Sequence, residues 1–350
     1  MYPIFFDPIY KETVWGGQHL KEMYDRELPS EHTGESWEIA CHENGTSIVA
    51  NGIYKGKSLK DLMEEEKVNL LGPRFKDANK FPLLVKLIDA NDKLSIQVHP
   101  DDVYAHQYAN GELGKTEMWY VLSAKKDAKL VLGTKPGTTM EMFNQGIIEG
   151  QLEEHIEELE VQAGDVINIP AGMLHAIEDG IVLAEIQQNS DTTYRVYDWN
   201  RVGLDGKPRE LHIEDALKVI DFEGQLKSEK VKGLALKNND YTMTYYIANQ
   251  YFAMEKLDIH GSWCDHTDNI NFYLYTCVAG RGIIRYTDQD ISFKAGQTFM
   301  IPANLGEYSI EGNAELLRSY VPDENNYIQT LHQTSGCTIL ELKQKIDIRF

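Results

Sequence analysis

The sequence predicts a mainly β protein that consists of two jelly-roll β-barrels with a few short helices. Short segments that alternate apolar and polar residues recur along the chain, as expected for half-buried strands. A nine-residue pattern also repeats, because residues 163–171 (AGDVINIPA) recur as residues 295–303 (AGQTFMIPA). Each copy joins a turn glycine, a short apolar strand and a proline-terminated loop, and each follows an aromatic strand. The repeat therefore indicates two related barrels.

Length and composition are typical of a globular protein with a substantial core. The chain has 350 residues, of which 42% are hydrophobic, and this is enough for two domains. Its net charge of −21 argues against nucleic acid and membrane as partners, since both are bound by clustered Lys and Arg. A small anionic substrate is compatible with this charge if its pocket is locally basic. The sequence does not determine whether the protein is a monomer or a homo-oligomer.

The cysteines and the N-terminus predict a cytoplasmic location. The four cysteines are scattered and form no CxxC pair, which favours reduced thiols over a disulfide framework. The N-terminal residues contain neither a basic region nor a long apolar stretch, so no signal peptide is expected.

The predicted elements alternate between strands and a few helices. Strands are expected at residues 36–40, 81–88, 94–99, 117–122, 129–133 and 182–188, with a turn, strand and loop over 161–172. Helices are expected at residues 58–66, 140–155 and 213–220. A polar, Lys-rich stretch between about residues 205 and 236 indicates the connection between an N-terminal catalytic domain (1–236) and a degenerate C-terminal domain (237–350). The tail over 338–350 is expected to pack on the C-terminal barrel or at a subunit contact.

The strand over residues 94–99 presents polar side chains on one face. The period of two places Ser95, Gln97 and His99 together, and Pro100 ends the strand. Such a face is solvated, lines a polar pocket or binds a metal. Lys86 lies alone in the apolar strand just before, either at the sheet surface or in a pocket.

Two later residues favour the metal interpretation. Glu117 opens an apolar strand, and His175 follows a Pro-Ala-Gly loop. Together with Gln97 and His99 they offer two nitrogens and two oxygens, a set that Zn²⁺ accepts and that Fe²⁺ or Mn²⁺ also tolerates.

The second copy of the repeat serves as an internal control for this metal site. Aligning the two copies places Glu307 opposite His175 and Asn271 roughly opposite Glu117. The second barrel is therefore predicted to be metal-free, and the chemistry is assigned to the first.

Arg195 is the last candidate, in a polar segment between two tyrosines (residues 188–201, QNSDTTYRVYDWNR). A guanidinium there suits an anion or a developing oxyanion. The alternative is a structural ion pair with Asp191 or Asp198.

Several motifs, in one order, resemble type I phosphomannose isomerases of the cupin superfamily, in their short bacterial form. The resemblance runs from the N-terminus to about residue 321 and rests on residues 15–17, 34–38, 94–102, 114–119, 169–175 and 188–198. It implies two cupin-type barrels, one bound zinc ion, a sugar-phosphate substrate and the interconversion of mannose 6-phosphate and fructose 6-phosphate through an enediol(ate).

Motif by motif, the resemblance assigns Gln97, His99, Glu117 and His175 as zinc ligands and Arg195 as a catalytic residue. The sequence does not determine which group transfers the proton, and the candidates are Lys86, Lys115 and Glu117.

The group that binds the substrate phosphate is left among Ser95, Lys86 and Lys115. The alternatives to this reaction are another metal-dependent cupin enzyme, such as an iron dioxygenase or a different sugar-phosphate isomerase, and a non-catalytic sugar-binding bicupin.

Overall fold

The structure, a computed structural model, describes residues 1–226 and 229–350. Residues 227 and 228, inside the predicted inter-domain connection, lie outside the described residues. In the described ranges the chain forms 24 β-strands, seven α-helices and two short 3₁₀ helices. The predicted mainly β fold with a few helices is confirmed.

The strands are β1 (Ile4–Asp7), β2 (Ile9–Gly17), β3 (Thr33–Ile39), β4 (Cys41–His42), β5 (Gly45–Thr46), β6 (Ile48–Val49), β7 (Leu83–Ala90), β8 (Ile96–Val98), β9 (Glu117–Ala124), β10 (Lys129–Thr134), β11 (Ile156–Glu160), β12 (Val166–Ile169), β13 (His175–Ile177), β14 (Ile181–Gln188), β15 (Tyr194–Tyr197), β16 (Leu234–Lys237), β17 (Tyr241–Asn249), β18 (Ala253–Ile259), β19 (Ser262–His266), β20 (Tyr273–Tyr286), β21 (Gln289–Lys294), β22 (Thr298–Ile301), β23 (Glu307–Tyr320) and β24 (Asp347–Arg349). The α-helices are α1 (His19–Tyr24), α2 (Leu59–Leu71), α3 (Asp102–Tyr108), α4 (Met140–Glu149), α5 (Ile213–Val219), α6 (Glu324–Ser335) and α7 (Ile339–Lys345). The 3₁₀ helices are Pro73–Phe75 and Leu152–Glu154.

The helices begin and end where local chemistry requires. Ser58 and Asp61 form a reciprocal capping box that starts α2. Helix α4 is shorter than the predicted 140–155, because Gly150 adopts a left-handed φ of 71° and ends it. Among the described helices none has the length and hydrophobicity that a membrane span requires.

The chain divides into two compact units, each made of separate stretches of sequence. We call residues 10–36 and 86–230 the central unit, and residues 1–9, 37–85 and 231–350 the terminal unit. The domains proposed from the sequence, 1–236 and 237–350, group the N-terminal segments differently and stay a prediction.

Two sheets build the central unit. One has the strand order β11-β10-β13-β8-β15, and the other has the order β12-β9-β14-β7-β3-β2. Strands β2, β3 and β7 each include some residues that are assigned to the terminal unit. Its apolar core includes the buried side chains of Trp119, Leu130 and Ile167. All three side chains are at most 1% exposed, so this core excludes solvent.

One large sheet dominates the terminal unit. Its order is β16-β17-β18-β23-β20-β22-β1-β6, with β19 paired to β23, β21 to β20 and β24 to β17. The core of this unit includes Tyr275, Phe299 and Leu316, all of them inaccessible to solvent. The four cysteines of the chain are free thiols.

The nine-residue repeat is part of a longer structural repeat. The order β12-β9-β14-β7-β3-β2 matches β22-β20-β23-β18-β17-β16. Glu117 pairs with Ile169, and Tyr273 pairs with Ile301, the residue equivalent to Ile169. Tyr273 is therefore the counterpart of Glu117, and the expectation of Asn271 was wrong by two residues. The reason is that Glu117 is the first residue of β9, whereas Asn271 precedes β20.

The C-terminal tail packs within the terminal unit. Strand β24 runs parallel to β17, with Asp347 opposite Ile247. Leu331, Leu342 and Ile346 are buried in one apolar cluster with residues of the large sheet. The expectation that the tail packs on the C-terminal part of the protein is confirmed.

Replacing Leu342 tests this packing. Leu342→Ala removes a side chain with no solvent exposure and should lower the free energy of unfolding by about 2–5 kcal/mol, as measured by urea denaturation. Leu340→Ala is the matched control, because Leu340 lies in the same helix and is 70% exposed. Equal effects of the two substitutions would contradict a packed tail.

Candidate metal and substrate site

The strand order of the central unit places three predicted site residues in one row. In the five-stranded sheet Gln97 lies directly opposite His175 on one side and opposite Arg195 on the other. Directly opposed residues project from the same face of a sheet. Because Gln97 is the middle residue of this row, β8 determines which side chains of β13 and β15 meet.

His99, Glu117 and His175 form a buried cluster that can hold a metal ion. Their nearest ligand atoms all lie within 4.8 Å of one another, and each residue is 1% exposed. His99 Nε2 is 3.2 Å from Glu117 Oε1, and His175 Nε2 is 3.7 Å from Glu117 Oε2. Two imidazole nitrogens and a carboxylate facing one point are a common donor set for Zn²⁺.

Backbone carbonyls orient both imidazoles toward that point. His99 Nδ1 lies 2.9 Å from the carbonyl oxygen of Thr192, and His175 Nδ1 lies 2.9 Å from that of Met173. A carbonyl only accepts, so each Nδ1 bears the proton and each Nε2 keeps its lone pair free. Burial, with the Lys115 ammonium second, lowers the pKa of His99 to about 3, so its ring is neutral at ordinary pH.

Glu117 is the anionic member of this cluster. Neither of its oxygens has a well-aligned hydrogen bond among the described residues, although Lys115 Nζ approaches Oε1 to 2.8 Å. Burial alone would raise the pKa of Glu117, but the Lys115 ammonium outweighs it and holds the pKa well below its usual range. A buried carboxylate with unused acceptor capacity beside two neutral imidazoles fits a divalent cation.

Gln97 lies beside this cluster, with its amide nitrogen toward the histidines. Its Nε2 is 3.4 Å from His175 Nε2, and its Oε1 accepts a hydrogen bond of 3.2 Å from the Ser95 hydroxyl. Rotation of the amide by 180° would present the oxygen without any backbone movement. Gln97 as a fourth ligand stays a prediction.

A cavity of about 280 Å³ opens beside the cluster. The sequence-predicted residues Lys86, Ser95, Gln97, Lys115, His175 and Arg195 all line it. Four residues that the sequence reasoning missed add charges to its wall: Glu35, Glu185, Asp191 and Arg209. The described lining thus contains four cations and three carboxylates, in a chain whose net charge is −21.

Lys86 is a pocket lysine and not a surface one. It is 3% exposed, and its Nζ lies 3.3 Å from Glu185 Oε1 and 3.6 Å from Glu35 Oε2. Burial alone would lower the pKa of Lys86, but these two carboxylates raise it well above its usual value. Trp119 Nε1 donates to the second oxygen of Glu185 at 2.9 Å. A sequence signal for Glu185 existed, since Glu185 is the one charged residue in the apolar strand β14.

Arg195 contacts neutral groups. Its Nε donates to the Ser95 hydroxyl at 3.3 Å, and its Nη1 donates to the carbonyl oxygen of Glu210 at 2.8 Å. In the described part of the chain no carboxylate lies within ion-pair distance of Arg195. The alternative of an ion pair with Asp198 is wrong, because Asp198 binds other arginines.

The arginines bound to Asp198 are Arg201 and Arg209. Arg209 donates from Nε and Nη2 at 2.7 and 2.6 Å, so both of its hydrogen bonds go to one carboxylate. Because Asp198 is occupied in this way, the guanidinium of Arg195 is left to line the cavity.

Models of two protein families match separate parts of this chain. Residues 4–127 match the model of the type I phosphomannose isomerase catalytic domain, and residues 241–321 match that of the mannose-6-phosphate isomerase cupin domain. The mannose-6-phosphate isomerase ManA of Bacillus subtilis is 39% identical over 91% of this chain and 99% of its own length.

Solved structures share the fold. A mannose 6-phosphate isomerase from Bacillus subtilis superposes with a TM-score of 0.86 at 36% identity, covering 91% of this chain and 99% of that one. A mannose 6-phosphate isomerase bound with zinc and yttrium, 18% identical over 92% of this chain and all of that one, has the same fold with a TM-score of 0.70.

These findings confirm the cupin-type fold and the resemblance to type I phosphomannose isomerases. They also confirm the assignment of the chain as an enzyme of this kind, which rested on that resemblance. The relatives match from end to end, over nine-tenths of this chain and nearly their full length. The chain belongs to the type I phosphomannose isomerase family.

Proposed function

We propose that the chain interconverts mannose 6-phosphate and fructose 6-phosphate by moving a proton between C1 and C2 through an enediol(ate). One observation supports this reaction most: the His99–Glu117–His175 cluster lies beside a cavity that is lined by cations. These cations include Lys86, Lys115 and Arg195. Enediolate chemistry needs an electrophile at the sugar oxygens, a group that transfers a proton, and cations for the phosphate. The cavity offers a candidate for each.

We assign His99, Glu117, His175 and, after rotation of its amide, Gln97 as ligands of one zinc ion. When bound, the ion would act as a Lewis acid toward the sugar oxygens. Zinc in a distant structure of the same fold agrees with this choice. The residues themselves support it through their neutral imidazoles and the unsatisfied carboxylate.

Lys86 and Lys115 suit different roles. Lys86 stays protonated because two carboxylates raise its pKa, so it stabilises negative charge and does not accept a proton. Lys115 lies next to the ligand cluster, with Nζ 3.3 Å from His99 Nε2. If the sugar oxygens bind at this cluster, as we propose, Lys115 would be close to the reacting carbons. We therefore favour Lys115 for proton transfer. Ser95 and Lys86 are the proposed phosphate contacts.

Arg195 is proposed to stabilise the enediolate. Its guanidinium lines the cavity, and the Ser95 hydroxyl and the Glu210 carbonyl orient it without neutralising it. An always-charged group cannot act as an ordinary proton shuttle, so charge stabilisation is the role that its chemistry permits.

A metal-removal experiment tests both the reaction and the metal site. The purified protein should contain about one zinc per chain and convert mannose 6-phosphate in a coupled assay, with no requirement for oxygen. Dialysis against a chelator should abolish turnover, and added Zn²⁺ should restore it.

His99→Ala and His175→Ala should lose the metal and keep the fold, whereas His106→Ala, at an exposed position, should retain the metal. Full metal content in the first two variants would refute the ligand assignment, and oxygen-dependent turnover would favour a dioxygenase.

Replacing Arg195 separates charge stabilisation from binding. Arg195→Ala should keep the metal and the melting temperature and lower kcat by roughly 100-fold or more. Arg195→Lys should recover only part of that loss, because an ammonium does not reproduce the planar fork. Arg201→Ala is the control, since Arg201 binds Asp198 outside the described cavity lining. A near-normal kcat with a raised KM would reassign Arg195 to phosphate binding.

The pairing of Lys86 with Glu185 predicts a stability effect. Lys86→Met leaves the buried carboxylate of Glu185 without its cation and should lower the free energy of unfolding by about 3–5 kcal/mol. The double variant with Glu185→Gln should recover part of this loss in urea denaturation, without restoring activity. Lys125→Met, which breaks an exposed pair with Asp179, should change stability by less than about 1 kcal/mol. No recovery in the double variant would show that Lys86 is not paired with Glu185.

A further inference from the structure

The terminal unit contains a cavity of about 400 Å³, within the ~300–1,000 Å³ range of small-molecule sites. Strands β17, β18, β20 and β23 and helix α6 contribute to its wall. Four tyrosines line it: Tyr245, Tyr273, Tyr320 and Tyr327. The cavity lies outside the proposed reaction site, which belongs entirely to the central unit.

The position of this cavity in its sheet matches that of the proposed reaction site. Glu185 pairs with Trp119 on β9, and Arg318 pairs with Tyr275 on β20. Since Tyr273 is the counterpart of Glu117, Tyr275 is the counterpart of Trp119. Arg318 therefore occupies in the terminal unit the place that Glu185 occupies in the central one.

The buried ion pair is retained with its charges exchanged. Glu255 on β18 binds Arg318, just as Lys86 on the equivalent strand β7 binds Glu185. Glu255 is inaccessible to solvent, and Arg318 is 8% exposed. Both units thus place a buried cation–carboxylate pair at the same position of the sheet.

The pair and its neighbours make a rigid polar frame. Arg318 Nε donates to Glu255 at 2.7 Å, and Arg318 Nη1 donates to Asp265 at 2.8 Å. The guanidinium carbon lies 4.9 Å from the ring centre of Tyr273 and 5.7 Å from that of Tyr320. Because Arg318 is satisfied by these groups, the frame is already formed without a ligand.

Two polar atoms at the cavity lack a hydrogen-bond partner among the described residues. One is the hydroxyl of Tyr327, a residue only 7% exposed, and the other is the buried Oδ1 of Asn271. A buried polar atom without a partner is destabilising, because it has lost its hydrogen bonds to water and gained none in return. A ligand bearing hydroxyl groups could donate to the amide oxygen and exchange a hydrogen bond with the phenol.

The charges of the lining exclude phosphate esters. Arg318 is the one cation in the described lining, and it faces four carboxylates: Glu255, Asp265, Asp268 and Asp323. A dianionic phosphate would be repelled there. A neutral compound avoids this repulsion, and the tyrosine rings offer apolar faces to its carbon skeleton.

We propose that this cavity is a second binding site that takes a neutral polyhydroxylated compound, such as an unphosphorylated hexose. The proposal does not depend on the reaction proposed for the central unit.

Calorimetric titration of the metal-loaded full chain with methyl α-D-mannopyranoside tests the site, because this glycoside has a locked ring and cannot be isomerised. Saturable binding is expected. Tyr327→Phe should weaken it roughly fivefold, the value of one neutral hydrogen bond of about 1 kcal/mol. Asn326→Trp, at an exposed position of the cavity wall, should fill the space and abolish binding. Tyr108→Phe, at a tyrosine that is 61% exposed, should leave binding unchanged.

The melting temperature of each variant shows whether it is folded. If Tyr327→Phe does not fold, Asn326→Trp still tests whether the glycoside binds in this cavity. Absence of saturable binding to the unmodified chain would overturn the proposal. Equal affinity in all folded variants would place the glycoside elsewhere and would overturn it too. Binding of spermidine that Asp323→Asn weakens, without any binding of the glycoside, would assign the cavity to cations instead.

Discussion

The buried charge of Glu117 is the constraint on which the central unit depends. A carboxylate that is 1% exposed is tolerated only beside compensating charge and hydrogen-bond donors. Lys115 supplies a cation at 2.8 Å, and the neighbouring histidines stay neutral because burial lowers their pKa. Strands β8, β9 and β13 must therefore meet where these four side chains converge. The lone pairs that the two imidazoles and Glu117 direct toward one point would be the ligands of a bound divalent cation.

The two units show how one strand order accommodates two different interiors. Both keep a buried cation–carboxylate pair at equivalent positions, Lys86 with Glu185 and Glu255 with Arg318. Around the first pair lie imidazoles and further cations, whereas tyrosines surround the second. A buried pair is expensive to break, since the remaining charge is left without compensation. The exchange of both partners between the units preserves this compensation, although the residue on each strand of the pair has the opposite charge.

Much of this arrangement could be predicted from local sequence. The alternation of residues 94–99 and the short repeat indicated the strands and the duplicated fold, and the metal-ligating residue types were legible because they interrupt apolar segments. Contacts between strands that are distant in sequence could not be predicted in this way. Glu185 escaped notice because only the register of β14 against β9 places it beside the cavity. The pairing of Asp198 with Arg209 likewise depends on a loop whose path no periodicity specifies.

The distribution of charge over the two cavities determines which ligand each can take. A chain with a net charge of −21 repels a sugar phosphate at long range, so capture requires a local field of opposite sign. Cations outnumber carboxylates in the described lining of the central cavity, and carboxylates outnumber cations in that of the terminal one. Low-dielectric walls strengthen both fields. Under the two proposals made above, the same fold would separate two classes of sugar by charge, and the phosphate ester would bind in the cavity that adjoins the candidate metal ligands.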